Sequence, residues 1–119
     1  MTTGKHYTWS QLPPTELTPK IKRRLVSGEK AMSVHFTLAA GAELAEHQHP
    51  HEQITHLLSG KIALTISGEK IIVQGGDVVV IPSNAPHSVV VLEDSVAIDL
   101  FSPPREDFLA DAPPTYMKE

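Results

Sequence analysis

Val, Ile, Leu and Thr gather along the chain in short runs at residues 21–26, 31–38, 54–58, 61–66, 70–73, 78–81, 87–92 and 96–101. Runs of this length, rich in β-branched residues and evenly spaced, predict strands rather than helices. Between them, Ser27-Gly28-Glu29, Ser59-Gly60, Ser67-Gly68-Glu69 and Gly75-Gly76-Asp77 supply turns at which glycine can take positive φ. The expected fold is all-β: a single-domain antiparallel jelly roll closed on itself. No internal repeat or low-complexity block interrupts it.

Alternation inside two of these runs carries information beyond strand identity. Over 96–101, Ala97, Asp99 and Phe101 share one face, and Val96, Ile98 and Leu100 share the other. With the apolar triplet packed outward, Asp99 points into the barrel, where a lone carboxylate costs several kcal/mol unless something compensates it. Its partner is either a structural hydrogen bond or ion pair, or a function. Over 87–92, Val89 and Val91 lie with His87, and Ser88, Val90 and Leu92 lie opposite, so the strand is apolar on both sides. A strand of that kind suits a sheet covered by a partner, and a homodimer is expected.

The ends differ from the centre. Residues 1–20 include three prolines and no clear period, and read as an N-terminal arm lying across a partner subunit or left free; the barrel spans 21–103 and a C-terminal helix and tail occupy 104–119. Ser102 is the expected cap of that helix, with Pro103 at its first position, a fold-back that brings Arg105 over the barrel mouth to bind a carboxylate. The alternative is a surface arginine paired with Glu106, Asp107 or Asp111.

At 119 residues the chain suits one domain, with 40% apolar and 20% charged residues. A net charge of −4 and no basic run longer than Lys22-Arg23-Arg24 argue against a nucleic-acid partner. No apolar run approaches membrane-spanning length and the start lacks a leader-like apolar stretch, so a cytoplasmic protein with no membrane partner is expected. The absence of cysteine removes disulfides and thiolate ligands, so any metal must be held by nitrogen and oxygen.

Such ligands are present. His47 and His49 stand at i and i+2 on a candidate strand and project to the same face, and Pro50 permits a bend that brings Gln53 round. His87, after a proline-containing turn, supplies a fourth neutral donor from a distant segment. Together they have the composition of a divalent metal site; the competing reading of His47, His49, His51 and His56 is a solvated histidine-rich loop. His35, between Val34 and Phe36, reads as a satisfied sheet residue, and Tyr7 and Trp9 are too isolated to make a stacking site.

The arrangement of these residues resembles a known signature. Gly41, five residues, His47-Gln48-His49, three residues, Gln53, six residues and Gly60, followed after fifteen residues by Gly76, five residues, Pro82, one residue, Asn84, two residues and His87, is similar to the two motifs of the cupin superfamily. Three positions depart from it: Gln53 for glutamate, Asn84 for glycine and Val91 for asparagine. Asn tolerates a left-handed backbone, so Asn84 keeps the turn, and Val91 concerns packing. Gln53 retains a ligand oxygen without a negative charge, which leaves the cation's charge undiminished and favours an anionic substrate.

The block Asp99-x-Phe101-x-x-x-Arg105 behind those ligands resembles the small cupins of the pectin-degradation KdgF type, which open the ring of 4,5-unsaturated uronates. The resemblance implies metal ligation by His47, His49, Gln53 and His87, and a substrate cavity lined by Asp99, Phe101 and Arg105. This chain has one residue fewer before its glutamine than that family commonly has, and a slightly shorter gap from His87 to Asp99. The cofactor is expected to be nickel, iron, manganese, cobalt or zinc, since three imidazoles and an amide accept all of these. A cupin dioxygenase and a non-catalytic small-molecule-binding cupin are the two alternatives.

Overall fold

The protein, described by a computed structural model over residues 3–110 and 116–117, is built from eight antiparallel strands and little else. They are β1 (Thr15–Thr18), β2 (Ile21–Ser27), β3 (Met32–Leu38), β4 (Glu43–His47), β5 (Glu52–Ile66), β6 (Glu69–Gln74), β7 (Val78–Ile81) and β8 (His87–Ser102), with a 3-10 turn at Trp9–Gln11 and one α-helical turn, α1 (Glu106–Leu109). No described helix is long and apolar enough to cross a membrane.

Two long strands organise the fold. β5 and β8 pair with each other from Glu52↔Ser102 to Ile66↔His87, and each contributes its two halves to two different sheets. The first half of β5 pairs with β7 and its second half with β6; the first half of β8 pairs with β4 and its second half with β3. The sheets therefore fold over one another as a jelly roll, enclosing Ile21, Met32, Val34, Phe36, Leu57, Ile62, Leu64, Val73 and Val91. Val91 is a core residue, as its apolar side chain implies.

Each long strand was expected as two, broken at Ser59-Gly60 and near residue 94. The chain instead bends without ending the strand. Gly60 takes φ +93°, and the ladder slips at Leu57/Ser59, Ser59/Lys61 and Lys61/Ile62. These bulges let β5 turn the corner between sheets. A Cβ at Gly60 would collide with Ser95 Oγ and the Asp94 carbonyl, so glycine is required there for space as well as conformation. Ser95 Oγ accepts from the Lys61 amide (3.1 Å) and donates to the Glu93 carbonyl (2.7 Å), satisfying groups that the slipped ladder leaves over.

The termini also differ from expectation. The last part of the segment read as an arm, Thr15–Thr18, is an edge strand on β2, because four residues with little apolar alternation are enough when a neighbour offers a free ladder edge. Ser102 does not cap the helix. It is the last residue of β8 and its hydroxyl donates to the Lys30 carbonyl (2.9 Å), while Arg105 occupies the cap position of α1 without a side-chain cap bond.

Candidate metal centre

His47 and His87 face each other across the β4–β8 pair, one at the end of β4 and the other at the start of β8. His49 lies beyond β4 in the connecting loop, not on a strand as expected. That loop is held by the later turn: the Asn84 amide donates to the His49 carbonyl (2.8 Å), and Asn84 sits at φ +63°, the left-handed geometry its side chain tolerates. Gln53, on β5, brings its side-chain amide beside His49. The candidate ligand nitrogens of His47, His49 and His87 all lie within 4.8 Å of one another, forming a three-histidine group that can hold a metal ion.

The hydrogen bonds prepare these side chains as ligands. His47 Nδ1 donates to the Ala45 carbonyl (2.7 Å), His87 Nδ1 to the Ala85 carbonyl (2.8 Å) and His49 Nδ1 to the His51 carbonyl (3.0 Å). A carbonyl only accepts, so each Nδ1 carries the proton and each Nε2 presents a lone pair. Gln53 Nε2 donates to Thr55 Oγ1 (3.0 Å), which turns the amide oxygen to within 3.2 Å of His49 Nε2. Two acceptors thus face each other, and His87 Nε2 is buried without a hydrogen-bond partner. A buried acceptor left unsatisfied costs about 1–3 kcal/mol, and a cation shared by these donors removes that cost. The site fits a divalent metal.

Electrostatics agree. Burial pulls His47 and His49 down to about 4, helped by the neighbouring imidazoles and the Arg105 charge, and lowers His87 as well. All three are neutral at pH 7 and need release no proton to bind metal.

Below the histidines lies a cavity. His47, Gln53, His87, Asp99, Arg105 and Tyr116 line its polar end, and Ile21, Phe36 and Leu64 its apolar depth. Asp99 points inward on β8, opposite Thr55 on β5, as alternation requires. Its Oδ1 is sealed from solvent with no hydrogen-bond partner, and burial drives its carboxyl up to about 6, against the pull of Thr55, Gln53 and the Arg105 charge. Phe101 is buried against His49 and Phe108, both wall and core.

Arg105 combines both readings of it. It lines the cavity, yet it is a buried residue whose Nε and one terminal nitrogen donate to the Asp107 carboxylate (3.0 and 2.7 Å), with its guanidinium over the rings of Phe101 and Phe108. His51 is half-buried beside the site and His56 is exposed on the opposite face of β5. His35 lies against Trp9, with ring centroids 5.4 Å apart. Sequence reasoning missed Thr55 and Tyr116. Thr55 was within reach, being two residues from Gln53 on the same strand face; Tyr116 carried no local signal.

Comparison with known proteins agrees with this geometry. Residues 34–101 match the cupin domain, and the chain belongs to the cupin domain family. Over 108 residues it is 38% identical to the pectin degradation protein KdgF of Dickeya dadantii (strain 3937), an alignment covering 88% of this chain and 98% of that one. The structure of KdgF from Halomonas sp. superposes with a TM-score of 0.85 at 34% identity, covering 89% of this chain and 99% of the other. An RmlC-like cupin from Shewanella frigidimarina NCIMB 400 superposes with a TM-score of 0.82 at 27% identity, covering 91% and 99%.

Proposed function

We propose that this cupin is a metal-dependent enzyme that opens the ring of 4,5-unsaturated uronate monosaccharides, released in pectin or alginate breakdown, to linear keto sugars. The observation that carries the proposal is the grouping of three bare Nε2 atoms and the Gln53 amide oxygen beside a cavity lined by His47, Gln53, His87 and the buried Asp99 carboxyl. Similarity to pectin degradation proteins supports the substrate class.

The reaction is an isomerisation. The proton leaves the C1 hydroxyl, the C1–O5 bond breaks with its electron pair passing to O5, and a proton added at C4 turns the resulting enolate into the 5-keto sugar. One proton leaves oxygen and one arrives at carbon, so no co-reactant is consumed. A divalent cation on His47, His49, Gln53 and His87, whether nickel, iron, manganese, cobalt or zinc, supplies Lewis acidity to sugar oxygens. Asp99, with its carboxyl near 6, holds and releases the migrating proton close to neutral pH. Arg105 holds the substrate carboxylate: its third guanidinium nitrogen makes no hydrogen bond among the described residues, and Asp107 fixes the plane of the other two. Phe101 walls the sugar. The exposed Val90 and Leu92 on the outer face of β8 support a homodimer, which a monomeric particle in solution scattering would exclude.

The test is the ultraviolet absorbance of freshly made 4,5-unsaturated galacturonate with metal-loaded and metal-stripped protein. Faster loss of the double bond only with metal is expected. A rate equal to the spontaneous one removes the substrate, and oxygen uptake in its place would move the assignment to the dioxygenases.

A further inference from the structure

Tyr116 lies far from the cupin motifs, yet three separate contacts tie it to the metal centre. Its ring stacks on the His47 imidazole with centroids 3.5 Å apart and planes 2° from parallel. Its carbonyl accepts from the Ala45 amide (2.8 Å), and Ala45 is also the residue whose carbonyl holds His47 Nδ1 (2.7 Å). Its hydroxyl accepts from the Arg105 nitrogen that also donates to Asp107 (3.2 Å). Leu44↔Met117 is a β-bridge, so this segment docks along the edge of β4.

From these contacts we infer that Tyr116 is a positioning residue that completes the site from the C-terminal segment, its ring fixing the His47 ligand and its hydroxyl aiming Arg105 at the substrate carboxylate. His47 Nδ1 fixes the ring at one point only, and rotation about its χ2 would swing Nε2 away from His49 and His87. A parallel aromatic ring at stacking distance opposes that rotation across the whole imidazole. Groups outside the ligand set that hold a ligand in place typically account for about 10- to 100-fold in metal affinity, the range expected here. The hydroxyl acts separately. Having accepted from Arg105, it retains its own proton for a substrate oxygen, so arginine and phenol together make a two-donor carboxylate seat.

The hydroxyl half rests on the uronate reading proposed above; the ring half does not. The experiment separates them with Tyr116→Phe, Tyr116→Leu and Tyr116→Ala in the full chain, each checked for wild-type far-ultraviolet circular dichroism. Cobalt(II) affinity and the cobalt d–d absorption report the ring, and KM against kcat on 4,5-unsaturated galacturonate reports the hydroxyl. Tyr116→Leu and Tyr116→Ala are expected to weaken cobalt binding about tenfold or more and to shift its spectrum; Tyr116→Phe is expected to leave both unchanged and to raise KM about tenfold with little change in kcat. Wild-type cobalt affinity and spectrum in Tyr116→Leu overturn the ring's role, and Tyr116→Leu carries this arm if Tyr116→Ala fails to fold. An unchanged KM in Tyr116→Phe overturns the hydroxyl's role. Absence of turnover by the wild-type protein overturns the uronate reading and the hydroxyl half with it, while the cobalt arm still decides the ring.

Discussion

The two halves of β5 lie on one continuous strand and do opposite things. Before Gly60, the residues turned inward are Gln53, Thr55 and Leu57, two polar groups beneath the histidines followed by one core residue. After Gly60, the residues turned inward are Ile62 and Leu64, both apolar. The inward phase changes from odd to even positions across the bend, because the bulge inserts an unpaired residue. Cost falls differently on the two halves. The apolar half lowers the free energy of the fold by burying side chains. The site, to which the first half lends Gln53 and Thr55, keeps His87 Nε2 and Asp99 Oδ1 unsatisfied and its imidazoles neutral, which stabilises nothing until a ligand arrives. β8 instead keeps one inward phase, with His87 and Asp99 towards its two ends and the core residue Val91 between them.

Substitutions sharpen this division. The largest effect is expected from Asp99→Asn, which should lower kcat by about 10²- to 10⁴-fold while leaving metal content and the melting temperature close to wild type or higher. Metal analysis beside the ultraviolet assay checks it, and a wild-type rate would end the role given to Asp99. In the other half, Leu64→Ala removes a fully buried side chain and should cost about 2–5 kcal/mol of unfolding free energy with no loss of metal affinity. Denaturant titration of the metal-free protein measures it. Gly60→Ala should damage both halves at once, by about 1–3 kcal/mol, through its positive φ and the collision with Ser95 and Asp94; a lowered melting temperature together with weakened metal binding is the expected signature.

Acid distinguishes the halves more gently. His47 and His49 titrate near 4 in the folded protein against about 6.5 unfolded, so between those values the unfolded chain binds protons that the native state does not. Metal-free stability should therefore fall as pH drops from about 6.5 to 4. Asp99 acts in the reverse sense between about 6 and 3.8, where the native state holds a proton that the unfolded chain has released. Two histidines outweigh one carboxylate, and the net slope is a loss towards acid. Melting temperatures across this range should show it, and the double variant His47→Gln, His49→Gln should flatten or reverse the slope.

Much of this was open to reading in one dimension because the barrel follows a period of two. Alternation placed Asp99 and Phe101 inward and Ile98 and Leu100 outward, and the spacing from Gly41 to His87 picked out three histidines that the fold gathers into a group able to hold a metal ion. The same reasoning failed where geometry is not periodic. His49 reaches the site from a loop that the Asn84 amide fastens, and Ser102 spends its hydroxyl on Lys30 instead of a helix cap.

What the sequence by itself determined is the class of the fold, the histidines available to gather at one site and the inward face of Asp99 and Phe101, since these follow from side-chain chemistry and strand periodicity, both local properties. Only the tertiary structure decided that β5 and β8 are each one strand bent between two sheets, that Arg105 is held by Asp107 while lining the cavity, and that Tyr116 lies flat on His47. Those outcomes depend on which distant segments meet at a corner, on the space Ser95 leaves at Gly60, and on the docking of the C-terminal segment along β4. No local pattern encodes such meetings, because they are settled by the closing of the barrel as a whole.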